Sequence, residues 1–333
     1  MIVNYIIYFL VLVVSMLIYF RIAQHYDIVD YPVNRSSHDL PTIRGGGIIF
    51  TISGLLWFWH SGFASPYAIA GLVLISLISF LDDIKSMPGS IRIIIHFAAI
   101  ALLMYDFLYP MYWYLILASF VLTVAWINAF NFMDGINGIT AFYTLVVLGS
   151  ISLLNNASVL LAPFFKQDFP DHWESFLPGS LVGIIFIGVG VFTFFNARKK
   201  ARTFAGDVGS VSMAFLLSWM MLSLMESTHS PFWILFFSLY GVDTFITILI
   251  RIKRRENILK PHRLHLYQLL ANEKKWPHLR VAGLYAFIQL MINIATIILY
   301  FKGHLNWPVF LIIIVLMMAV YLLVRQRIVL PKV

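Results

Sequence analysis

Four short stretches of this sequence hold side chains that could do chemistry together. Phe80-Leu-Asp82-Asp83-Ile-Lys85 sets two carboxylates side by side. Neighbours on a helix point about 100° apart, so the pair cannot chelate one ion in the same way. One can act as base or metal ligand while the other orients a neighbour, or both simply mark a polar helix end. Asn128, Asn131, Asp134 and Asn137 recur every three residues, interleaved with Gly135 and Gly138. That spacing predicts a shared helix face, with the glycines allowing a tight turn or close backbone approach. Amides, a carboxylate and glycines suit a nucleotide or phosphate; a polar stripe between packed helices is the plainer alternative. Phe204-Ala-Gly206-Asp207-Val-Gly209-Ser210 opens a helix. Its glycines would leave backbone N–H groups free for an anion, and Asp207 could hold a metal bridging that anion or serve as an N-cap. It is not a P-loop, lacking Gly-Lys-Ser/Thr. In Pro261-His262-Arg263-Leu-His265-Leu-Tyr267 the histidines stand at i and i+3, expected on one helix face. With Arg263 they could grip a pyrophosphate, or the basic loop could bind anionic lipid heads.

The elements that must position these residues are membrane helices. The chain is 61% hydrophobic and 11% charged, more apolar than one soluble core of 333 residues can hide. With no cysteine there are no disulfides and no thiolate metal sites. Apolar runs at 2–20, 45–62, 66–81, 91–107, 112–130, 139–155, 179–196, 210–226, 231–250, 281–301 and 308–324 predict an all-α polytopic protein of about eleven spans. The first run lacks a basic flank and a cleavage site, so it reads as a retained helix. With the N-terminus outside and the C-terminus in the cytoplasm, only Lys166 and Lys302 of the 23 lysines and arginines fall in outer segments. The basic charge therefore follows the membrane and excludes nucleic acid as the partner. Residues 1–333 read as one membrane domain. In this topology Asp82, Asp83, Asp134 and Asp207 all fall at cytoplasmic helix ends. Carboxylates so placed suggest a hard cation, Mg²⁺ or Mn²⁺. Asp243, inside the ninth span, is a functional candidate or a packing hydrogen bond.

In this order the motifs resemble those of the polyprenyl-phosphate N-acetylhexosamine-1-phosphate transferases. They are Leu81-Asp-Asp, Asn128-x-x-Asn131-x-x-Asp134-Gly-x-Asn137-Gly138, Phe204-x-Gly-Asp207-x-Gly-Ser210 and Pro261-His262-Arg263-x-His265-Leu-Tyr267-Gln268. Ser37-His38-x-x-Pro41-Thr42-x-Arg44-Gly-Gly-Gly47 is similar to that family's first cytoplasmic loop. The resemblance implies a Mg²⁺-dependent cytoplasmic site that moves a sugar-1-phosphate from a UDP-N-acetylhexosamine to undecaprenyl phosphate and releases UMP. It implies metal ligation by Asp207, with Asp83 as a second candidate. The Asp82–Asp83 pair would act on the lipid phosphate, with Arg92 contacting phosphate and Arg44 in the substrate-binding set. Asn128, Asn131 and Asp134 would line the nucleotide pocket and Phe204 would stack on uracil. Asn196 would be a polar residue upstream of that motif, and His262, Arg263 and His265 would meet the pyrophosphate or sugar. Asn137 departs from the pattern, since the family commonly has there an Asp that contacts uracil. The histidine motif lacks the triple-His form of the peptidoglycan-precursor enzyme and resembles the branch that starts O-antigen or teichoic-acid chains, at the bacterial inner membrane.

Such a transfer needs positioning and charge neutralisation more than a strong base, because the attacking phosphate is already an anion. A transporter or lipid flippase is the competing class. It would account for the spans, but should carry polar groups near mid-membrane in two similar halves. A structural lipid-binding protein would account for the basic loops alone. The sequence names neither the sugar nor the glycan pathway, and is compatible with a homodimer.

Overall fold

The computed structural model describes residues 2–32, 37, 40–107, 112–258 and 262–329. It is 76% helical. Eleven apolar helices correspond one to one with the eleven apolar runs: α1 (Ile2–His25), α2 (Ile48–His60), α3 (Pro66–Ile84), α4 (Gly89–Tyr105), α5 (Trp113–Met133), α6 (Ile139–Asn155), α7 (Gly179–Asn196), α8 (Gly206–Thr228), α9 (Ser238–Lys253), α10 (His278–Phe301) and α11 (Trp307–Val329). Among the described residues eight helical segments are long and apolar enough to cross a membrane, α9 only together with the 3₁₀ segment 231–237 before it, and α2, α4 and α6 are shorter apolar helices. Several such helices in one chain make this a multi-pass membrane protein. The ninth run differs in form. It begins as a 3₁₀ segment, Pro231–Phe237, before α9, with Pro231 at the first turn, where its missing N–H costs no bond.

Helix α8 is the axis of the bundle. Its residues from Val208 to Leu224 are all buried, and it packs on α2, α3, α5 and α6. Small residues make this close packing possible. Ser218 and Ser223 satisfy their hydroxyls on the carbonyls of Ala214 and Trp219. At the rim, α11 is almost wholly uncovered by protein, as a lipid-facing helix is.

The fold is not purely helical. Val29–Asp30 (β1) pairs antiparallel with Thr42–Ile43 (β2), and Ile43 also bridges Thr203 in parallel. This small ladder ties the loop after α1 to the entrance of α8. It brings Gly47 and Gly209 together so closely that a Cβ on Gly47 would lie 2.2 Å from the Gly209 Cα.

Candidate functional site

The end of α3, the start of α8, the end of α5 and the 262–268 loop come together. Asp83, in the last turn of α3, reaches the first turn of α8. Its Oδ1 accepts the Asp207 N–H at 2.8 Å and its Oδ2 the Val208 N–H at 3.0 Å. Arg44 Nε also lies 2.7 Å from Oδ1. The expected free N–H groups at this helix start are therefore already capped by a carboxylate from a different helix. Gly206 is needed there for its positive φ of 70° and for the Asp83 oxygen packed against it. Asp82 points elsewhere: Oδ1 accepts the Met87 N–H at 2.6 Å and Oδ2 pairs with Arg92 at 2.5 Å. Asp82 and Asp207 stand within hydrogen-bonding reach of one another. Asp207 lies 3.6 Å from Arg44 and 3.7 Å from Arg92, with its side chain partly open. Three carboxylates and two arginines thus share one small volume.

Asn131 accepts the Ser210 hydroxyl at 2.6 Å, joining α5 to the same turn of α8. Asp134 is the C-cap of α5 and accepts the Thr140 hydroxyl at 2.5 Å. Burial pushes its carboxyl up to about 6; Thr140 opposes that, the Asp83 charge adds to it, and Arg44 lowers it. The predicted common face of the Asn/Asp series does not persist, because α5 ends at Met133. Asn137 and Asn196 instead act as braces. Asn137 Nδ2 donates to the Arg198 carbonyl at 2.9 Å, while its buried Oδ1 has no partner. Asn196 accepts the Gly138 N–H and donates to the Thr203 carbonyl, both at 2.9 Å. Phe204 is held by its backbone, which bonds Ile43 and Gly46. Asn128 is exposed and donates to Val124 of its own helix, apart from the carboxylates. It borders an apolar groove of about 550 Å³ between α5, α8, α9 and α11, lined by residues such as Leu122, Met221, Phe245 and Ile314.

His262 and His265 do not lie on a helix face. Residues 262–264 are irregular, and His265 is the N-cap of a single turn, Leu266–Gln268. The two rings still meet, with centroids 4.8 Å apart. Burial, with His265 and Arg251 adding, pushes His262 down to about 4. Arg263 is partly buried beside them. Tyr267 donates to the Phe132 carbonyl, which docks this loop beside the end of α5. His38 and Pro261, and with them Arg35, Lys260 and Lys332, lie outside the described residues. Thr203, which donates to the Ile43 carbonyl, and His278, which accepts the Asn137 N–H, carried no signal in the sequence, since each matters through a partner far along the chain; Thr140 lies six residues from its partner Asp134 but on the next helix. Among the described residues no group of three His, Asp or Glu side chains forms a ready-made metal cage.

Comparison with known proteins adds an independent line. The model of glycosyl transferase family 4 matches residues 65–225, a stretch holding Asp82, Asp83, Asn131, Asp134 and Asp207. A probable undecaprenyl-phosphate N-acetylglucosaminyl 1-phosphate transferase of Bacillus subtilis (strain 168) is 24% identical, over 89% of this chain and 83% of its own length. The undecaprenyl-phosphate alpha-N-acetylglucosaminyl 1-phosphate transferase of Escherichia coli (strain K12) is 24% identical over 75% of this chain and 71% of its own. A phospho-N-acetylmuramoyl-pentapeptide-transferase of Dictyoglomus turgidum is 28% identical over 77% and 82%. Its central stretch is thus similar to glycosyl transferase family 4, and most of its length is similar to undecaprenyl-phosphate N-acetylglucosaminyl 1-phosphate transferases.

Proposed function

We propose that this protein transfers an N-acetylhexosamine-1-phosphate from a UDP-sugar to undecaprenyl phosphate, releasing UMP, at the cytoplasmic face of the bacterial inner membrane. The observation that carries the reading is the meeting of Asp82, Asp83 and Asp207 with Arg44 and Arg92; the apolar groove further along α5 and α8 has room for part of a polyprenyl tail. A lipid phosphate oxygen would attack the β-phosphorus of the UDP-sugar. The bond from that phosphorus to the bridging oxygen would break, and UMP would leave with the electron pair.

The donor set fits Mg²⁺. Two carboxylates in contact, Asp82 and Asp207, resist being charged together without a cation. All donors are hard oxygens, and Mg²⁺ commonly takes one or two carboxylates and completes its shell with substrate phosphates and water. Asp207 would hold the ion. Asp83, the second candidate from the sequence, already serves two N–H groups and Arg44, and Asp82 serves the Met87 N–H and Arg92, which leaves Asp207 the carboxylate most open to an ion. When bound, the ion would neutralise charge on the diphosphate. Arg44 and Arg92 would hold the two anionic substrates in line, which is where most of the rate of such a transfer arises. Asp83 would keep the start of α8 in place. Asn137, with an unpaired buried acceptor, complements a donor such as the uracil imide N–H. The feeding of O-antigen or teichoic-acid synthesis, and a homodimer, belong to the same reading.

The test is UMP release by the purified protein with Mg²⁺, undecaprenyl phosphate and a panel of UDP-sugars. Asp207→Asn should insert and melt like the parent yet release no UMP. Parental turnover in that variant would remove the role given to Asp207.

A further inference from the structure

The loop bearing His262 and His265 folds down into the bundle and ends on a carboxylate that the transfer chemistry does not use. Asp243, on α9, is completely buried. Its Oδ1 lies 3.1 Å from His265 Nδ1 and accepts the Leu266 N–H at 3.1 Å and the Tyr321 hydroxyl at 2.9 Å. Its Oδ2 accepts the Tyr285 hydroxyl at 2.6 Å. The groups facing His265 are Asp243 from α9, Tyr285 from α10, Tyr321 and Arg325 from α11, and His262 and Tyr267 from its own loop. Arg325 donates to the Leu264 carbonyl and to Tyr321, and makes no ion pair with Asp243. Among the described hydrogen bonds to Asp243, that from His265 can bring it a positive charge.

Two features go together here. A carboxylate has only acceptors to offer, so the imidazole nitrogen facing it carries the proton, and Nε2 becomes the ring's working atom. That Nε2 is buried and has no hydrogen-bond partner, in a side chain only 2% exposed. A packing role would need the carboxylate and its tyrosines alone; it does not account for an imidazole left half satisfied next to them. The ring also sits by Phe132, two residues before Asp134, and so at the edge of the candidate site.

We infer that Asp243 is a positioning residue. It holds His265 by Nδ1–H and supplies the counter-charge for an imidazolium whose Nε2–H is donated to the diphosphate of the sugar nucleotide. The inference rests on the transferase reading of the site. Substrate binding then takes up a proton at Nε2. Without the carboxylate, that proton would leave a lone buried charge.

The experiment has two arms, both on the full-length protein. In the first, ¹⁵N-histidine spectra of the parent at pH 8 should show Nδ1 protonated and Nε2 bare. Adding UDP should protonate Nε2. Bound UDP with Nε2 still bare overturns the inference alone; failure of UDP to bind removes the transferase reading and the inference with it. In the second, Asp243→Asn should lower kcat/KM for the UDP-sugar by roughly 10- to 100-fold at pH 8 and by less at pH 6. The double variant with His265→Gln should lose no more than His265→Gln alone. Tyr285→Phe and Tyr321→Phe thin the same core without touching the ring, and should keep the parental pH profile. Losses that multiply in the double variant, or an unshifted profile in Asp243→Asn, would overturn it. Should Asp243→Asn fail to fold, the spectra still decide.

Discussion

The Asp83 carboxylate accepts two backbone N–H groups of α8 and the Arg44 guanidinium, so its first task is structural even though it sits among candidate reacting groups. An amide in its place offers one acceptor where two are used, and strips Arg44 of its closest charge. Asp83→Asn should therefore destabilise the protein by about 3 kcal/mol, the usual cost of breaking a buried charged pair. Asp82→Asn should cost less, because Arg92 is partly exposed and keeps Asp207 nearby. Thermal melts in one detergent compare the two; equal losses would mean that the cap on α8 carries no special weight. Asp134 makes a prediction of opposite sign. Its carboxyl is raised from an ordinary 3.8 to about 6. A raised folded value favours the protonated form, so its stabilising effect is complete below pH 3.8 and is lost as pH rises through 6. Asp134→Asn should thus gain stability on the parent between about pH 4 and 6 and level off above that at about 1 kcal/mol, a figure kept small because the side chain is only partly buried. A gap that narrowed with rising pH would contradict the burial argument.

At the scale of elements, the position of Asp207 depends on how closely α2 and α8 can approach. A Cβ on Gly47 would fall 2.2 Å from the Gly209 Cα, while one on Gly149, in the middle of α6, would meet nothing within 4 Å. Gly47→Ala should force the two helices apart, cost about 1–3 kcal/mol and reduce UMP release. Gly149→Ala should be neutral or slightly stabilising. Melts and turnover of the pair check this, and a harmless Gly47→Ala would show that the contact can relax. The helices themselves were legible for a simple reason. Runs such as 139–155 and 179–196 are continuous in apolar character and open just after Gly138 and Pro178, so composition alone marks their ends. The connections were not legible. Asp83 caps a helix 124 residues further on, and His265 turns toward Asp243 rather than along a helix. The Asn series was read as one face because spacing by three fits a helix, but spacing cannot say that α5 stops at Met133. Motif residues could be named from the sequence; which of them hold a ligand and which hold one another depends on long-range partners.

For the whole molecule the open question is which end of the bundle faces the cytoplasm, since the site's access to a soluble nucleotide sugar depends on it. Charge and geometry make one answer testable. The end that carries Arg44, Arg92 and the 262–268 loop also carries exposed Lys200 and Arg254, whereas the opposite end carries Lys302 paired with Asp168. Basic loops are retained on the cytoplasmic side, so the candidate site should be inside and the N-terminus outside. The chain has no cysteine of its own, which makes single-cysteine labelling unambiguous. Lys200→Cys, Arg254→Cys, Gln167→Cys and His304→Cys all replace exposed residues outside the site. In intact cells an impermeant maleimide should modify the variants at 167 and 304, and should reach 200 and 254 only after the membrane is opened. The reversed pattern would invert the topology and deprive the site of cytoplasmic UDP-sugars. Equal labelling of all four in intact cells would mean that the two ends are not separated by a membrane at all.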